Sequence, residues 1–425
     1  MKYINRIIDS QIKEYLEAFG AVLVEGPKWC GKTSSAKKQT KSVFDLGDPK
    51  RNFQNRKLAA NDLDAVLDGV KPRLIDEWQE VPFIWDAVKH KVDEESGHGL
   101  YLLSGSSTPR DGTTIHSGAG RIGRVKMSTM TLSELGISNG LASINNLLYG
   151  AKKIPVKGST LELNDILDAI IRGGWPGLIN VNMANVKKTL RSYLSALTSE
   201  DIIRIDGVER NPLKMMKLLQ SLSKNTASMV KKETLRRDVE GDDSDNDVSL
   251  SRMTLDNYLN ILRRLYILDE IPAWYPALKS TIRLRTAPKR ILVDSSLAVA
   301  ALKADRESLR NDLKLAGNLF ENLVLHDLLV YAQANDAQIF HYNDNSDLEV
   351  DAIIEGRDMK WGAFEIKLSY AQIDAGAATL RKLEKRLVIE KQKKPEFLAV
   401  ITGVGGILHQ REDGVWVIPI EFLGV

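Results

Sequence analysis

The stretch Ala21–Thr33, AVLVEGPKWCGKT, decides the reading of this chain. An apolar run, Ala21–Val24, leads into Gly-x-x-x-x-Gly-Lys-Thr. That is a strand, a glycine-bracketed loop and the start of a helix, the arrangement of a phosphate-binding P-loop. Gly26 and Gly31 allow the positive φ that turns consecutive N–H groups toward one anion. Lys32 places a cation on the β- and γ-phosphates. The Thr33 hydroxyl suits Mg²⁺, and the helix that follows aims its positive end at the phosphates. Gly26, Pro27, Lys28, Trp29, Cys30, Gly31, Lys32, Thr33 and Ser34 are therefore the candidate nucleotide-binding residues.

The bulk properties bound the rest. A chain of 425 residues is too long for one core, and about 150 residues per domain suggests three units or four small ones. With 43% hydrophobic and 27% charged residues the composition is that of an ordinary globular protein. Lys+Arg 59 against Asp+Glu 56 leaves a net charge of +3, so any basic surface must be local. The single cysteine, Cys30, excludes an intrachain disulfide and a cysteine-based zinc finger. The charged N-terminus lacks a signal-peptide core. The longest apolar stretch, Phe397–Leu408, is too short and glycine-rich to cross a bilayer. The expectation is a cytoplasmic protein with no membrane partner.

Outward from the P-loop, Ile8–Phe19 has helical periodicity and Val43–Leu46 reads as a second strand. Arg73-Leu74-Ile75-Asp76-Glu77 is an apolar strand ending in two carboxylates. A parallel strand delivers such residues to the sheet edge where ligands bind. Asp76 is the candidate Mg²⁺ partner and Glu77 the candidate base that orients the attacking water. Trp78, Phe83 and Trp85 are expected to pack the next helix on the sheet. Gly99–Leu103 is a further strand, followed by Ser104-Gly105-Ser106-Ser107. Ser104 is the first candidate for contact with the γ-phosphate and Ser106 the second. Before the strand Val125–Met130, Arg121 and Arg124 are candidate fingers for a neighbouring subunit's nucleotide.

The set GPKWCGKT, LIDEW, LLSGSS and GRIGRV, in this order, resembles the AAA-type ATPases of prokaryotes that carry a variable C-terminal DNA-processing region. The resemblance covers Met1 to about Leu135. It implies ATP rather than GTP, and an AAA-type core over residues 1–136. Residues 137–208 are expected to form a helical lid, which includes the helix Leu161–Arg172 and the terminator Gly173-Gly174-Trp175-Pro176-Gly177. This family commonly has a Gly-Gly-aromatic-Pro turn there.

Residues 209–294 read as three helices followed by a hairpin. Leu255, Tyr258, Leu259 and Leu262 stripe the third helix, Ser251–Leu265. Arg252, Arg263 and Arg264 lie off the stripe. Leu268–Trp274 and Ser280–Arg285 are expected to be the hairpin strands, with basic Lys279, Arg283 and Arg285. Such an order is that of a winged helix-turn-helix, which the resembled family also carries, and it implies DNA as a partner.

Residues 295–425 place Glu321 on an apolar helix and Asp351 on the strand Glu349–Ile354. Glu365 and Lys367 share one face of the strand Trp361–Leu368, with Ile366 opposite. Carboxylates on one face bind Mg²⁺ or Mn²⁺ through oxygen, and the lysine can stabilise developing phosphorane charge. The pattern is that of PD-(D/E)xK nucleases and is similar to the archaeal-type Holliday-junction resolvases. Glu321 matches the accessory acid, and the resemblance implies an α-β-β-β-α-β core. His326 and His341 receive no role. The fold class expected is thus α/β: a P-loop AAA-type parallel-sheet core with a helical lid, a winged helix and a C-terminal α/β restriction-endonuclease-like domain.

The function expected is ATP hydrolysis coupled to a metal-dependent nuclease-like domain acting on branched or foreign double-stranded DNA, in a homo-oligomer such as a hexamer. One alternative is an ATP-gated DNA-binding protein without cleavage. A second is a signalling or defence ATPase whose C-terminal half binds protein.

Overall fold

The apolar run ahead of the P-loop forms β1 (Ala21–Glu25), and Ala21 to Val24 are buried. A strand apolar on both faces needs cover on both sides, as the middle strand of a parallel sheet has. Described in this computed structural model are residues 3–107, 116–150, 153–205, 207–240, 251–275, 286–344, 346, 348–389 and 392–425. The first unit contains α1 (Ile8–Ala18), β1, α2 (Lys32–Gln39), β2 (Ser42–Asp45), α3 (Lys50–Asn61), α4 (Leu63–Leu67), β3 (Arg73–Asp76), α5 (Ile84–Glu95), β4 (Tyr101–Gly105) and β5 (Ile122–Lys126). Its five strands form one sheet in the order β2-β3-β4-β1-β5, every pair parallel. Ala21 lies opposite both Tyr101 and Ile122. The carboxyl ends of β1, β3 and β4 therefore adjoin, which brings the P-loop, Asp76-Glu77 and Ser104–Ser106 to one edge. Trp78 and Trp85 are buried against each other, with ring centroids 5.0 Å apart. Phe83, expected beside them, is exposed because it is the N-cap of α5 and precedes the face that packs.

The next elements are β6 (Ala142–Ser143), α6 (Ile144–Tyr149), β7 (Lys157–Gly158), α7 (Leu163–Arg172), α8 (Met183–Ala196) and α9 (Ile202–Arg204). The middle region has α10 (Pro212–Lys224), α11 (Lys232–Glu240), α12 (Arg252–Arg264), β8 (Leu268–Ile271) and β9 (Lys289–Leu292). α12 buries the expected stripe Leu255, Tyr258, Leu259 and Leu262, and Ser251 caps it by accepting from the Thr254 N–H. β8 pairs antiparallel with β9, Leu268 opposite Leu292. The expected second strand, Ser280–Arg285, lies outside the described residues, as does Lys279. Among the described residues, the strand that pairs with β8 begins with two charged residues, Lys289 and Arg290, and both are buried. Arg290 is held there by Glu270 at 2.9 Å.

The C-terminal region contains α13 (Ser295–Ala301), α14 (Arg306–Asn311), α15 (Leu313–Ala334), β10 (Gln338–Asn343), β11 (Glu349–Glu355), β12 (Trp361–Ser369), α16 (Ile373–Ile389), β13 (Phe397–Val404), β14 (Ile407–Gln410), β15 (Trp416–Pro419) and β16 (Leu423–Gly424). The helix, three strands, helix and strand expected here follow one another as α15-β10-β11-β12-α16-β13. The sheet is mixed, in the order β10-β11-β12-β13-β15-β14-β7. Two strands from the stretch expected to open the lid join this region: β7 pairs with β14 and β6 with β16. Glu421 fastens the same stretch by accepting from Ser159 and Thr160 at 2.8 Å. One continuous apolar core runs from Leu132 through the lid and middle region to Leu423, whereas the first unit has its own two clusters.

Candidate functional site

The P-loop turns as its glycines require. Gly26 has φ 158° and a Cβ there would lie 2.0 Å from the Met127 carbonyl oxygen. Gly31 has φ 104° and is the N-cap of α2. Lys32, buried to 6% exposure, folds back and donates to the carbonyls of Gly26 at 3.0 Å and Pro27 at 2.7 Å. The Thr33 hydroxyl donates to Asp76 Oδ1 at 3.1 Å, and Ser104 donates to the same oxygen. Burial pushes the Asp76 carboxyl above its usual range, and the Thr33 and Ser104 hydrogen bonds oppose that. A hydroxyl and a carboxylate oxygen side by side, next to a lysine, are hard oxygen donors that fit Mg²⁺.

Glu77 follows in left-handed backbone, φ 56°. Its carboxylate accepts from Gln79 Nε2, and from the Ser106 hydroxyl at 3.3 Å. Ser104 therefore supports Asp76 from below, while Ser106 reaches Glu77 and lines the cleft. Gly105 between them is required by packing, since a Cβ would sit 2.7 Å from Trp78 Nε1. The open cleft, about 510 Å³, is lined among others by Lys28, Lys32, Thr33, Glu77, Ser106 and Gly177. A second cavity of about 340 Å³ shares Gly31, Ser34 and Pro176 with it and adds Tyr3, Ile4 and Ile179.

The variable loop positions grip the lid. Trp29 stacks on Trp175 at 5.8 Å and on Tyr193 at 6.5 Å. Lys28 pairs with Asp201 at 2.5 Å. The Gly-Gly-Trp-Pro-Gly turn is glycine-rich because it wedges between neighbours. A Cβ at Gly174 would lie 2.0 Å from the Met130 carbonyl oxygen, and one at Gly177 would lie 2.5 Å from the Trp29 ring. Arg172 donates inside the turn, to the carbonyls of Leu178 at 2.7 Å and Val181 at 2.6 Å. Cys30 is buried, and its carbonyl accepts from Arg6 at 2.8 Å. Arg6 also donates to the carbonyls of Ser128 and Thr129 and pairs with Glu134 at 2.9 Å. Nothing in the sequence pattern marked Arg6, whose partners are mostly main-chain atoms remote in sequence.

Arg121 precedes the edge strand β5, and Arg124 lies on it, opposite Leu23. Arg121 pairs with Asp93 at 2.7 Å, and Lys89, together with Arg121, draws the Asp93 carboxyl down to about 2. Arg124 lies over the Trp85 ring, 4.8 Å from its centroid, and 3.7 Å from Glu25.

A second constellation lies in the C-terminal sheet. Asp351 accepts from the Ile366 N–H at 2.8 Å and meets Lys367 at 3.3 Å. Lys367 reaches Glu365 at 2.6 Å. The three residues expected on one face are together, and Glu321 of α15 joins them. Between them stands Lys289 of β9, which sequence reasoning missed. Its ammonium lies 2.6 Å from Glu321, 3.3 Å from Glu349 and 3.5 Å from Asp351. Burial, with the charge of Asp351, pushes Glu321 and Glu365 each up to about 8. Burial would raise Asp351 as well, but the charges of Lys289 and Lys367 hold it below its usual range. Because the ammoniums of Lys289 and Lys367 already occupy the oxygens of Glu321, Asp351 and Glu365, the divalent cation that the sequence pattern implies does not fit this arrangement.

His326, given no role from sequence, is buried between Thr129 Oγ1 at 3.1 Å and Ser128 Oγ at 2.9 Å. Its other nitrogen faces Asp327 at 3.0 Å. It thereby bonds α15 to the end of the first unit.

Residues 18–136 match the family model described as an AAA domain. This part of the chain is similar to AAA-type P-loop ATPase domains. Residues 163–308 and 316–423 match two domains of unknown function, DUF8612 and DUF4143. No curated protein matches the chain. Among solved structures, the chain is similar to the Walker-type ATPase PABY2304 of Pyrococcus abyssi. That match has 14% identity and a TM-score of 0.42 over 70% of this chain and 96% of that one. ATP with Mg²⁺ is the ligand pair that an ATPase domain implies. Among the described residues no helix is long and apolar enough to cross a membrane.

Proposed function

We propose that the chain is an ATP-hydrolysing switch that acts on branched or double-stranded DNA through its middle and C-terminal regions. The observation that carries the ATPase half is the convergence of Lys32, Thr33, Asp76 and Glu77 on one cleft. Lys32 leaves its two carbonyl acceptors for the β- and γ-phosphate oxygens, a stronger charge-assisted pairing. Thr33 and Asp76 hold Mg²⁺, which when bound offsets phosphate charge. Glu77, released from Gln79 and Ser106, orients and deprotonates the attacking water. Ser106 rather than Ser104 is placed to touch the γ-phosphate, because it lines the cleft. The adjoining cavity beside Tyr3 and Ile4 takes the adenine. Arg121 and Arg124 act on the nucleotide of a neighbouring copy in a homo-oligomer.

The DNA half is supported by the element order α10-α11-α12-β8-β9 and by exposed Arg252 on α12. Arg263 gives less support than its sequence position promised, since it pairs with Glu270 at 2.9 Å. Lys289 among the acids favours DNA binding without cleavage over cleavage.

Purified protein is tested on linear, forked and four-way DNA with ATP and Mn²⁺ varied separately. The reading expects salt-sensitive DNA binding that changes with ATP, and intact DNA strands. ATP hydrolysis indifferent to DNA, with no salt-sensitive binding, would move the reading to an ATPase that works on protein.

A further inference from the structure

The C-terminal acidic centre draws its side chains from four elements. Glu321 comes from α15, Glu349 and Asp351 from β11, Glu365 and Lys367 from β12, and Lys289 from β9 of the middle region. Lys289 is the only one of these carried from outside the α15-β10-β11-β12 unit. Its side chain is 1% exposed, and three carboxylates lie within 3.5 Å of its ammonium. A lysine so deeply buried needs its charge met by partners, and here it is met by acids alone. Of the acids that would grip a hard divalent cation, Asp351 and Glu321 are spent on this ammonium, and Glu365 on that of Lys367.

We propose that Lys289 is a tethered cation that fills the place of the metal. The centre is then a clamp that fastens β9 to the C-terminal sheet, and Mn²⁺ and Mg²⁺ are kept out while β9 is seated. Geometry explains why the clamp is directional. β9 is held on one side by β8, with Ile271 opposite Lys289, and on the other by the acids of α15 and β11. The Asn322 side chain, next to Glu321, accepts from the Leu292 N–H at 3.1 Å and donates to the Leu292 carbonyl at 2.9 Å. Strand and ammonium are therefore seated together against α15.

The test is Mn²⁺ binding to the full chain without nucleotide, read by loss of the free-ion electron paramagnetic resonance signal. Wild type and Asp351→Asn are expected to bind the same amount of Mn²⁺. Lys289→Ala is expected to gain one equivalent, which the double variant Lys289→Ala/Asp351→Asn loses again. Mn²⁺ bound by wild type and lost in Asp351→Asn overturns the proposal, since the metal then shares the centre with the lysine. A folded Lys289→Ala protein that gains no Mn²⁺ overturns it too, because something other than the ammonium then excludes the ion. Should Lys289→Ala not fold, as judged by circular dichroism, the comparison of wild type with Asp351→Asn decides alone.

Discussion

Two lysines stand at the two constellations of this chain, and their partners differ in kind. Lys32 is met by neutral carbonyls of its own loop at the wall of an open cleft. Lys289, itself fully buried, is met by three carboxylates. A carbonyl leaves an ammonium's charge intact, so an incoming phosphate has much to gain by replacing it. Carboxylates neutralise that charge, so nothing is left for a ligand. The same residue type is thus poised for exchange in one place and committed in the other. Which of these a lysine becomes is decided by the sign of its partners and the water around it.

The largest effect should come from Glu77→Gln, which keeps the shape of the ATPase centre and removes its base. ATP turnover is expected to fall roughly 10²- to 10⁴-fold while ATP still binds. Phosphate release with equilibrium binding of a fluorescent ATP analogue checks this. Unchanged turnover would remove Glu77 from the chemistry.

The comparison itself is broken or kept by Lys289→Met and Lys32→Met. Leaving buried carboxylates without their cation is expected to cost about 3–5 kcal/mol of stability, with ATP affinity unchanged. Lys32→Met should do the reverse. It should weaken ATP binding by roughly 100-fold, about 3 kcal/mol, and barely move the melting temperature of the nucleotide-free protein. Equal destabilisation by both would mean that Lys32 is also committed to its loop.

The smallest effect should follow Lys28→Ala. The Lys28–Asp201 pair is partly exposed, with the lysine side chain at 40%. Its loss is expected to change ATP affinity by no more than about fivefold, within about 1 kcal/mol. A larger loss in a titration at low and high salt would make the loop-to-lid pair part of nucleotide capture.

What could be read from sequence was mostly local. Gly26 to Thr33 are contiguous, so the P-loop announces itself, and the run before Asp76-Glu77 marks a buried strand ending at the same edge. The α15-β10-β11-β12 order was legible because Asp351, Glu365 and Lys367 keep strand spacing. Lys289 was not legible. Its three partners lie on two elements far along the chain, and a lysine heading a short run usually reads as solvated. Glu77's partners were half legible, since Ser106 was in view but Gln79 was not. The pairing of β7 with the C-terminal sheet and of β6 with β16 was hidden because β6 and β7 are two residues each, too short for any periodicity.

Those two short strands bear on how the chain is made. The ATPase sheet closes between Ala21 and Lys126, and so it can form before the residues that follow it are made. β6 and β7 come next, yet their partners β14 and β16 lie beyond the lid, the middle region and most of the C-terminal region. Everything between, lid and middle region included, is a loop that must close before that sheet is complete. Final assembly of the C-terminal region is therefore a late, long-range event. Until it happens the edges of β6 and β7 stand open to the wrong partner.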